Sequence, residues 1–273
     1  MNLSGGNVTA SSYTSTDSTY TQLSDGSTQH FGVLTISGGN ASLGNITGNG
    51  TITVMHGGSL TATTLSMPSG SVSSNGTISF TSTSATRQTS AVVIEIGNLT
   101  VGTAGKIDLA NHDLIIHGGS NLSQVAALIT SAYDSGAWDG DGIGSSTVAS
   151  ATDKAIGYAT AGELGISTFD GLAVSSTDIL VKYTWKGDAN LDGEVDLSDL
   201  NIVDNHEGTS GDWSEGDLNY DGSVDLSDLN LVLNHLGDGE SSPLAVSETP
   251  EPASLVILGI GTVVFAKRRR LRG

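Results

Sequence analysis

Between residues 32 and 116, apolar and polar positions alternate in short runs separated by Gly and Asn. The runs cover 32–36, 50–54, 58–65, 76–80, 91–96, 97–101, 105–109 and 113–116, with Val, Ile or Leu recurring beside Ser and Thr. A period of two puts the apolar set on one face and the hydroxyls on the other, which predicts half-buried strands. A shallow repeat of this kind reads as the stacked rungs of a β-solenoid, with a β-sandwich as the competing architecture. Residues 1–30 are polar and weakly patterned, and read as a cap or as the remains of a longer repeat. At 123–133 the period lengthens to that of a helix, which is expected to cap the last rung. Residues 136–143 form a Gly/Asp turn region, and 155–159 and 179–183 read as strands returning to the sheet. Apolar residues recur at helical spacing again in 200–206 and 229–236, with Gly208 and Gly237 as stops. Four regions result: a β-solenoid-like body (1–119), a helix-containing cap with closing strands (120–185), a small helical module (186–240), and a linker with a terminal segment (241–273). The expected fold class is mainly β.

Composition sharpens this picture. The chain of 273 residues carries a net charge of −19 and has no Cys. Thiol catalysis and disulfide bonding are therefore excluded. Residues 187–240 hold 15 Asp and Glu and no Lys or Arg. Such density repels nucleic acid, whose phosphates need a basic surface, and opposes a compact state unless cations bind. The segment is expected to be loose without them and to be stabilised by mass action when they bind.

The acidic residues are spaced for that purpose. Asp188, Asn190, Asp192, Asp196 and Asp199 stand at positions 1, 3, 5, 9 and 12 of a loop with Gly193 at position 6, and Glu194 at position 7 offers its carbonyl. Asp217, Asn219, Asp221, Asp225 and Asp228 repeat the pattern, with Gly222 and the carbonyl of Ser223. This is the oxygen spacing of an EF-hand calcium loop, and the all-oxygen donor set suits a hard cation with about six to eight ligands. Two Ca2+ ions are expected. The chain before Asp188 reads as a strand, and that before Asp217 as a Gly-rich linker, so each unit is a loop followed by one helix. Paired half-hands with Asp at position 12 resemble the dockerin type I domain over residues 186–237. That resemblance implies a calcium-dependent pair of antiparallel helices that binds a cohesin-like protein. It also implies partner contacts at loop positions 10 and 11, here Leu197, Ser198, Leu226 and Ser227, although the best-known members carry Ser/Thr pairs there. The same leucines read equally well as core.

The last residues are Pro250, Glu251 and Pro252, an apolar run over 254–266, and then Lys267, Arg268, Arg269 and Arg270, with Arg272 beyond. Half of the ten Lys and Arg lie here. Thirteen helical residues span only about 20 Å against about 30 Å of hydrocarbon, a gap that snorkelling basic side chains and local thinning can close. The three-part arrangement resembles the PEP-CTERM sorting signal. It implies a short transmembrane sorting helix, transient residence in the inner membrane with the basic end cytoplasmic, processing by an exosortase-type enzyme, and a final place on the cell surface or in the extracellular matrix. Residues 1–10 have neither a basic n-region nor an apolar h-region, so the expectation is that the natural N-terminus lies further upstream.

Catalytic signals are weak. The six His are scattered, and His206 and His235 are equivalent by the loop duplication. Only Arg87 and Lys106 are basic in the solenoid-like region, which argues against a polysaccharide lyase. The order of elements from 113 to 190 loosely resembles the region before the dockerin in bacterial surface proteins with autotransporter-like β-strand repeats. The expectation is a non-enzymatic, exported surface or matrix protein with a calcium-dependent docking module. The alternative is a component of polysaccharide degradation, catalytic or not, tethered through dockerin–cohesin binding.

Overall fold

The computed structural model describes residues 12–14, 33–82, 93–118 and 121–239. The structure is mainly β, with few helices, and no sheet among the described residues closes into a barrel. The first eleven strands are β1 (Ser12–Thr14), β2 (Val33–Ile36), β3 (Gly39–Ser42), β4 (Asn45–Thr47), β5 (Thr51–Val54), β6 (Gly58–Ala62), β7 (Thr64–Ser74), β8 (Thr77–Phe80), β9 (Val93–Val101), β10 (Lys106–Asp108) and β11 (Asp113–Ile116). There follow α1 (Leu122–Tyr133), β12 (Gly142–Gly144), α2 (Ser146–Ala149), β13 (Lys154–Thr160), β14 (Thr168–Phe169), β15 (Leu172–Ala173), β16 (Ile179–Trp185), α3 (Leu197–His206) and α4 (Leu226–His235).

From β2 to β12 the chain passes back and forth between two sheets, with β4 and β5 in succession on the same one. One has the order β1-β3-β6-β8-β10-β12; the other runs β13-β16-β11-β9-β7-β5-β2, with β4 also on β7. Neighbours from β2 to β12 are parallel, so each strand lies beside the one laid down a circuit earlier. Gly39 aligns with Gly58 and Ser59 with Thr77, so successive circuits take 19 and 18 residues. The in-register pairing stacks like on like. Ala41, Leu60, Ile78, Ile107 and Ile143 form one buried column, and Ile52, Val72 and Leu99 another. Between them, Thr51, Thr53, Ser59, Thr61, Thr77 and Ser79 stay half-buried on the outer faces. The alternation in sequence is thus read out directly as inward and outward faces. In β7 the register slips between Met67 and Ser71, across Pro68, which has no N–H to give the ladder.

At β11 the character changes. All four of its residues are buried, because residues 161–180 cover its outer face: Ile115 packs with Ala161, Phe169 and Leu180. His117 lies between two carboxylates there, with Nδ1 3.0 Å from Asp178 and Nε2 3.3 Å from Glu95. The sheet then turns antiparallel, as β16 pairs with β11 and with β13. Helix α1 begins at Asn121, whose side chain accepts from the Gln124 N–H, and it buries Val125, Ile129 and Ala132.

The expected strands at 91–96 and 97–101 are one continuous strand, β9. Strands β3, β4, β12 and most of β7 were not anticipated. They are rich in Gly, Ser and Asn, and hold strand geometry because neighbouring strands pair with them: β7 lies between parallel β5 and β9, β3 between antiparallel β1 and parallel β6, and β4 and β12 each beside one parallel strand. Residues 1–11 and 15–32 lie outside the described residues, as do Arg87 and the whole of 241–273 with the expected transmembrane helix. Among the described residues no helix is long and apolar enough to cross a membrane.

Candidate metal centre

Strand β16 ends at Trp185, and Gly187, at φ 103°, turns the chain into the first acidic loop. Inside this loop the carboxylates bind the loop's own backbone. Asp188 accepts from the N–H of Asp192 (3.1 Å) and of Gly193 (3.0 Å), and from the Thr184 hydroxyl. Asp199 accepts from the N–H of Ala189 (2.8 Å), Asn190 (3.2 Å) and Asp196 (2.9 Å). Asn190 accepts from the Asp192 N–H and donates its amide to the Asp192 carboxylate.

The second loop repeats this wiring 29 residues later. Asp217 takes the N–H of Asp221 (3.1 Å) and Gly222 (2.8 Å), while Asp228 takes those of Leu218 (2.9 Å), Asn219 (3.1 Å) and Asp225 (2.9 Å). Asn219 again bridges to Asp221. At position 4, Leu191 and Tyr220 both adopt left-handed backbone, at φ 60° and 64°, a costly conformation for bulky side chains that persists where packing fixes it. Both side chains are buried. Positions 9 and 12 do double duty. Asp196 and Asp225 are the N-caps of α3 and α4, and Asp199 and Asp228 reach back to the cap N–H, closing a capping box on each helix.

The loops also exchange partners. Val195, at position 8 of the first, bonds with Gly237 and Asp238 beyond α4, and Val224, at position 8 of the second, bonds with Gly208 and Thr209 beyond α3. Each half therefore completes the other. The pair is fastened to the β body by two aromatic residues. Trp213 is buried in the linker and donates its Nε1–H to the Asp188 carbonyl at 2.8 Å, with its ring 5.4 Å from that of Tyr220. The Tyr220 hydroxyl donates to the Ile156 carbonyl (3.0 Å) and accepts from its N–H (3.2 Å). Gly157 allows this approach, since a Cβ there would lie 2.6 Å from Trp213 Nε1. Sequence reading overlooked Tyr220, since nothing in the spacing says which strand a loop residue will reach.

Asp188, Asp199, Asp217 and Asp228 are buried, and none has an ion-pair partner among the described residues. Burial, as the largest cause, pushes Asp188 up to about 7 and Asp199 and Asp217 up to about 6, and raises Asp228 as well. Asp196, by contrast, is lowered by the Ser198 hydroxyl and N–H that bond it. Among the described residues, no three Asp, Glu, His or Cys side chains converge on one point as a finished cage would. The inward acids are held by amides instead. The donor chemistry still fits calcium. Carboxylates, amide oxygens and main-chain carbonyls gather in two small loops, with four buried acids that make no ion pair among the described residues.

The residues at positions 10 and 11 face outward. Leu197 is 64% exposed and Leu226 61%, with Ser198 and Ser227 exposed beside them. The core reading of these leucines is therefore corrected: at the first turn of each helix they point away from the buried Asp199/Val203 and Asp228/Val232 faces. His206 and His235 serve local roles, with Nδ1 at the Ile202 carbonyl and at the Asp238 carboxylate respectively.

A family model for the PEP-CTERM protein-sorting motif matches residues 248–270. The chain carries a PEP-CTERM sorting signal. It is thereby marked as an exported bacterial protein, sorted through a membrane-anchored stage to the cell surface, with an exosortase as the enzyme that recognises the motif. No curated protein matches the chain, and no solved structure does.

Proposed function

We propose that this PEP-CTERM protein is a non-enzymatic component of the cell surface or extracellular matrix. Its two acidic loops bind one calcium ion each and rigidify a docking module. Asp188, Asn190, Asp192, the Glu194 carbonyl, Asp196 and Asp199 would hold the first ion; Asp217, Asn219, Asp221, the Ser223 carbonyl, Asp225 and Asp228 the second. Bound calcium supplies the positive charge that the buried acids lack. The module resembles dockerin type I, and its exposed Leu197-Ser198 and Leu226-Ser227 tips are its partner-facing groups, with a cohesin-like protein as the class of partner. The β-rich body reads as a solenoid that extends and presents this module, supported by its parallel circuits, the first four of 18 to 20 residues, and it resembles autotransporter-like repeat regions. The observation that carries the reading is the duplication of two loops that share the same backbone-to-carboxylate hydrogen bonds and hold four buried acids between them.

Calcium titration of the full chain by calorimetry tests it, with Asp192→Ala plus Asp221→Ala as control. The expected result is two ions per chain and a higher melting temperature, both lost in the double variant. An absence of binding at millimolar calcium would overturn it.

A further inference from the structure

A small cavity of about 170 Å3 lies outside the carboxylate shells of both loops. It is walled by the end of α1, the start of β13, the residue after β16 and the outer side of the second loop. Its lining is unusual for this chain. With a net charge of −19 overall, the described residues contain four basic side chains, Lys106, Lys154, Lys182 and Lys186. Two of them, Lys154 and Lys186, line this cavity, and no Asp or Glu does. Local positive charge in so acidic a molecule favours an anionic occupant. Lys186 gives one N–H to the Thr152 carbonyl at 2.9 Å, and an ammonium has three to give.

The rest of the wall is mostly apolar, with the rings of Tyr133, Trp138 and Tyr220 set among small aliphatic residues. Tyr133 and Trp138 meet edge to face at 5.4 Å and 79°, and Trp138 stands at 89° to Tyr220, 5.6 Å away. Trp138 holds its indole there from left-handed backbone, at φ 56°, with its main-chain N–H donating to the Tyr133 carbonyl at 3.0 Å. Such strain in a bulky residue persists only where the surroundings enforce it, and it concentrates at ligand sites. Ring faces favour the C–H face of a flat or chair-shaped ring, and Lys186 favours a carboxylate, while the Lys154 ammonium lies over the Trp185 ring and adds to the local positive charge. The volume is well below the roughly 300–1,000 Å3 of pockets for drug-sized ligands, which limits the occupant to about one six-membered ring.

We propose that this cavity binds a single acidic sugar residue, a pyranose carrying a carboxylate, as found at the end or along the edge of an acidic glycan. The site does not rest on the calcium reading, since its charge comes from Lys154 and Lys186 and two of its three rings, those of Tyr133 and Trp138, stand outside the loops. In an exported protein it would tie the β body to acidic polysaccharide while the module docks elsewhere.

The test is calorimetry and ligand-observed NMR on the full chain with D-glucuronate and D-galacturonate, beside glucose, acetate and benzoate, each in calcium and in chelator. One hexuronate per chain is expected, bound at least about tenfold more tightly than glucose, since an anion left without its ammonium loses a charge-assisted contact. Lys186→Met should weaken the hexuronate about tenfold with no change in melting temperature, and Trp138→Ala should abolish binding. Equal binding of glucose and glucuronate would overturn the proposal, as would hexuronate affinity indifferent to Lys186→Met. Benzoate binding in place of the hexuronates would overturn the sugar assignment. Should Trp138→Ala fail to fold, the Lys186 variant decides alone. Failure of calcium binding with intact hexuronate binding would sink only the loop reading, and the reverse only this one.

Discussion

In the β body, burial is spread over repeated columns: Ala41, Leu60, Ile78, Ile107 and Ile143 sit side by side on five strands, and no one of them orients the others. In the paired loops, order depends on a few residues that each hold several elements at once. Trp213 joins the linker, the Asp188 carbonyl and Tyr220, and Tyr220 joins the second loop to β13. The first arrangement tolerates local damage, because losing one side chain leaves the ladder above and below it. The second concentrates stability in single side chains and adds buried charge that weakens it further.

The largest effect should therefore come from Trp213→Ala. Removing a fully buried Trp costs about 3–5 kcal/mol, and here the Asp188 carbonyl also loses its donor. Denaturant unfolding should show that loss, with calcium affinity reduced at both loops because the halves exchange partners. Ile78→Ala in the body should cost about 2–5 kcal/mol and leave calcium binding unchanged. If both changes weaken the loops alike, the contrast between the regions is wrong.

Tyr220→Phe should cost less, about 1–3 kcal/mol, by leaving the outward N–H and carbonyl of Ile156 without the hydroxyl. Hydrogen exchange should rise at Ile156 and in the second loop while β2 to β10 stay protected.

Acidity should separate the regions next. The folded protein holds protons on Asp188, Asp199 and Asp217 up to about pH 7, 6 and 6. In the unfolded chain they leave near pH 3.9. Between these limits the folded state binds more protons than the unfolded, so without metal, stability falls as pH rises from about 4 to about 7. Each such acid contributes a slope of at most about 1.4 kcal/mol per pH unit. In chelator, the melting temperature should be higher near pH 5 than near pH 7.5. Saturating calcium should reverse the trend, because the ion competes with those protons.

These outcomes also explain what could be read before the fold was known. The duplication of the loops was legible because Asp, Asn and Gly recur at the same positions in both, so Asp188 to Asp199 and Asp217 to Asp228 declare themselves as a repeat by spacing. The strands with apolar alternation, such as β5 and β8, were legible for the same reason of period. Strands β3 and β4, and the middle of β7 with its Pro-Ser-Gly, were not, because their conformation is imposed by neighbours a circuit away. Neither were the His117 link between Glu95 and Asp178, nor the meeting of Trp138 with Tyr220, since each joins residues more than 20 positions apart and leaves no local trace. Position 10 was ambiguous because a leucine at a helix start suits a core or a partner equally. Only its exposure decides.

That exposure yields the smallest effect on stability and the most direct one on function. Leu197→Ser with Leu226→Ser removes side chains that are mostly in water, so unfolding should change by no more than about 0.5 kcal/mol, and both helices keep their capping boxes. Large apolar groups at equivalent points of a repeat are exposed at the cost of solubility, which makes sense if a partner covers them. Binding of an isolated cohesin domain by calorimetry should vanish in the double variant. Because the two tips are equivalent by the repeat, either single variant leaves one intact and should retain measurable affinity. Cohesin affinity that ignores all three variants would move the docking surface elsewhere on the module, and loss of folding in the double variant would return these leucines to the core.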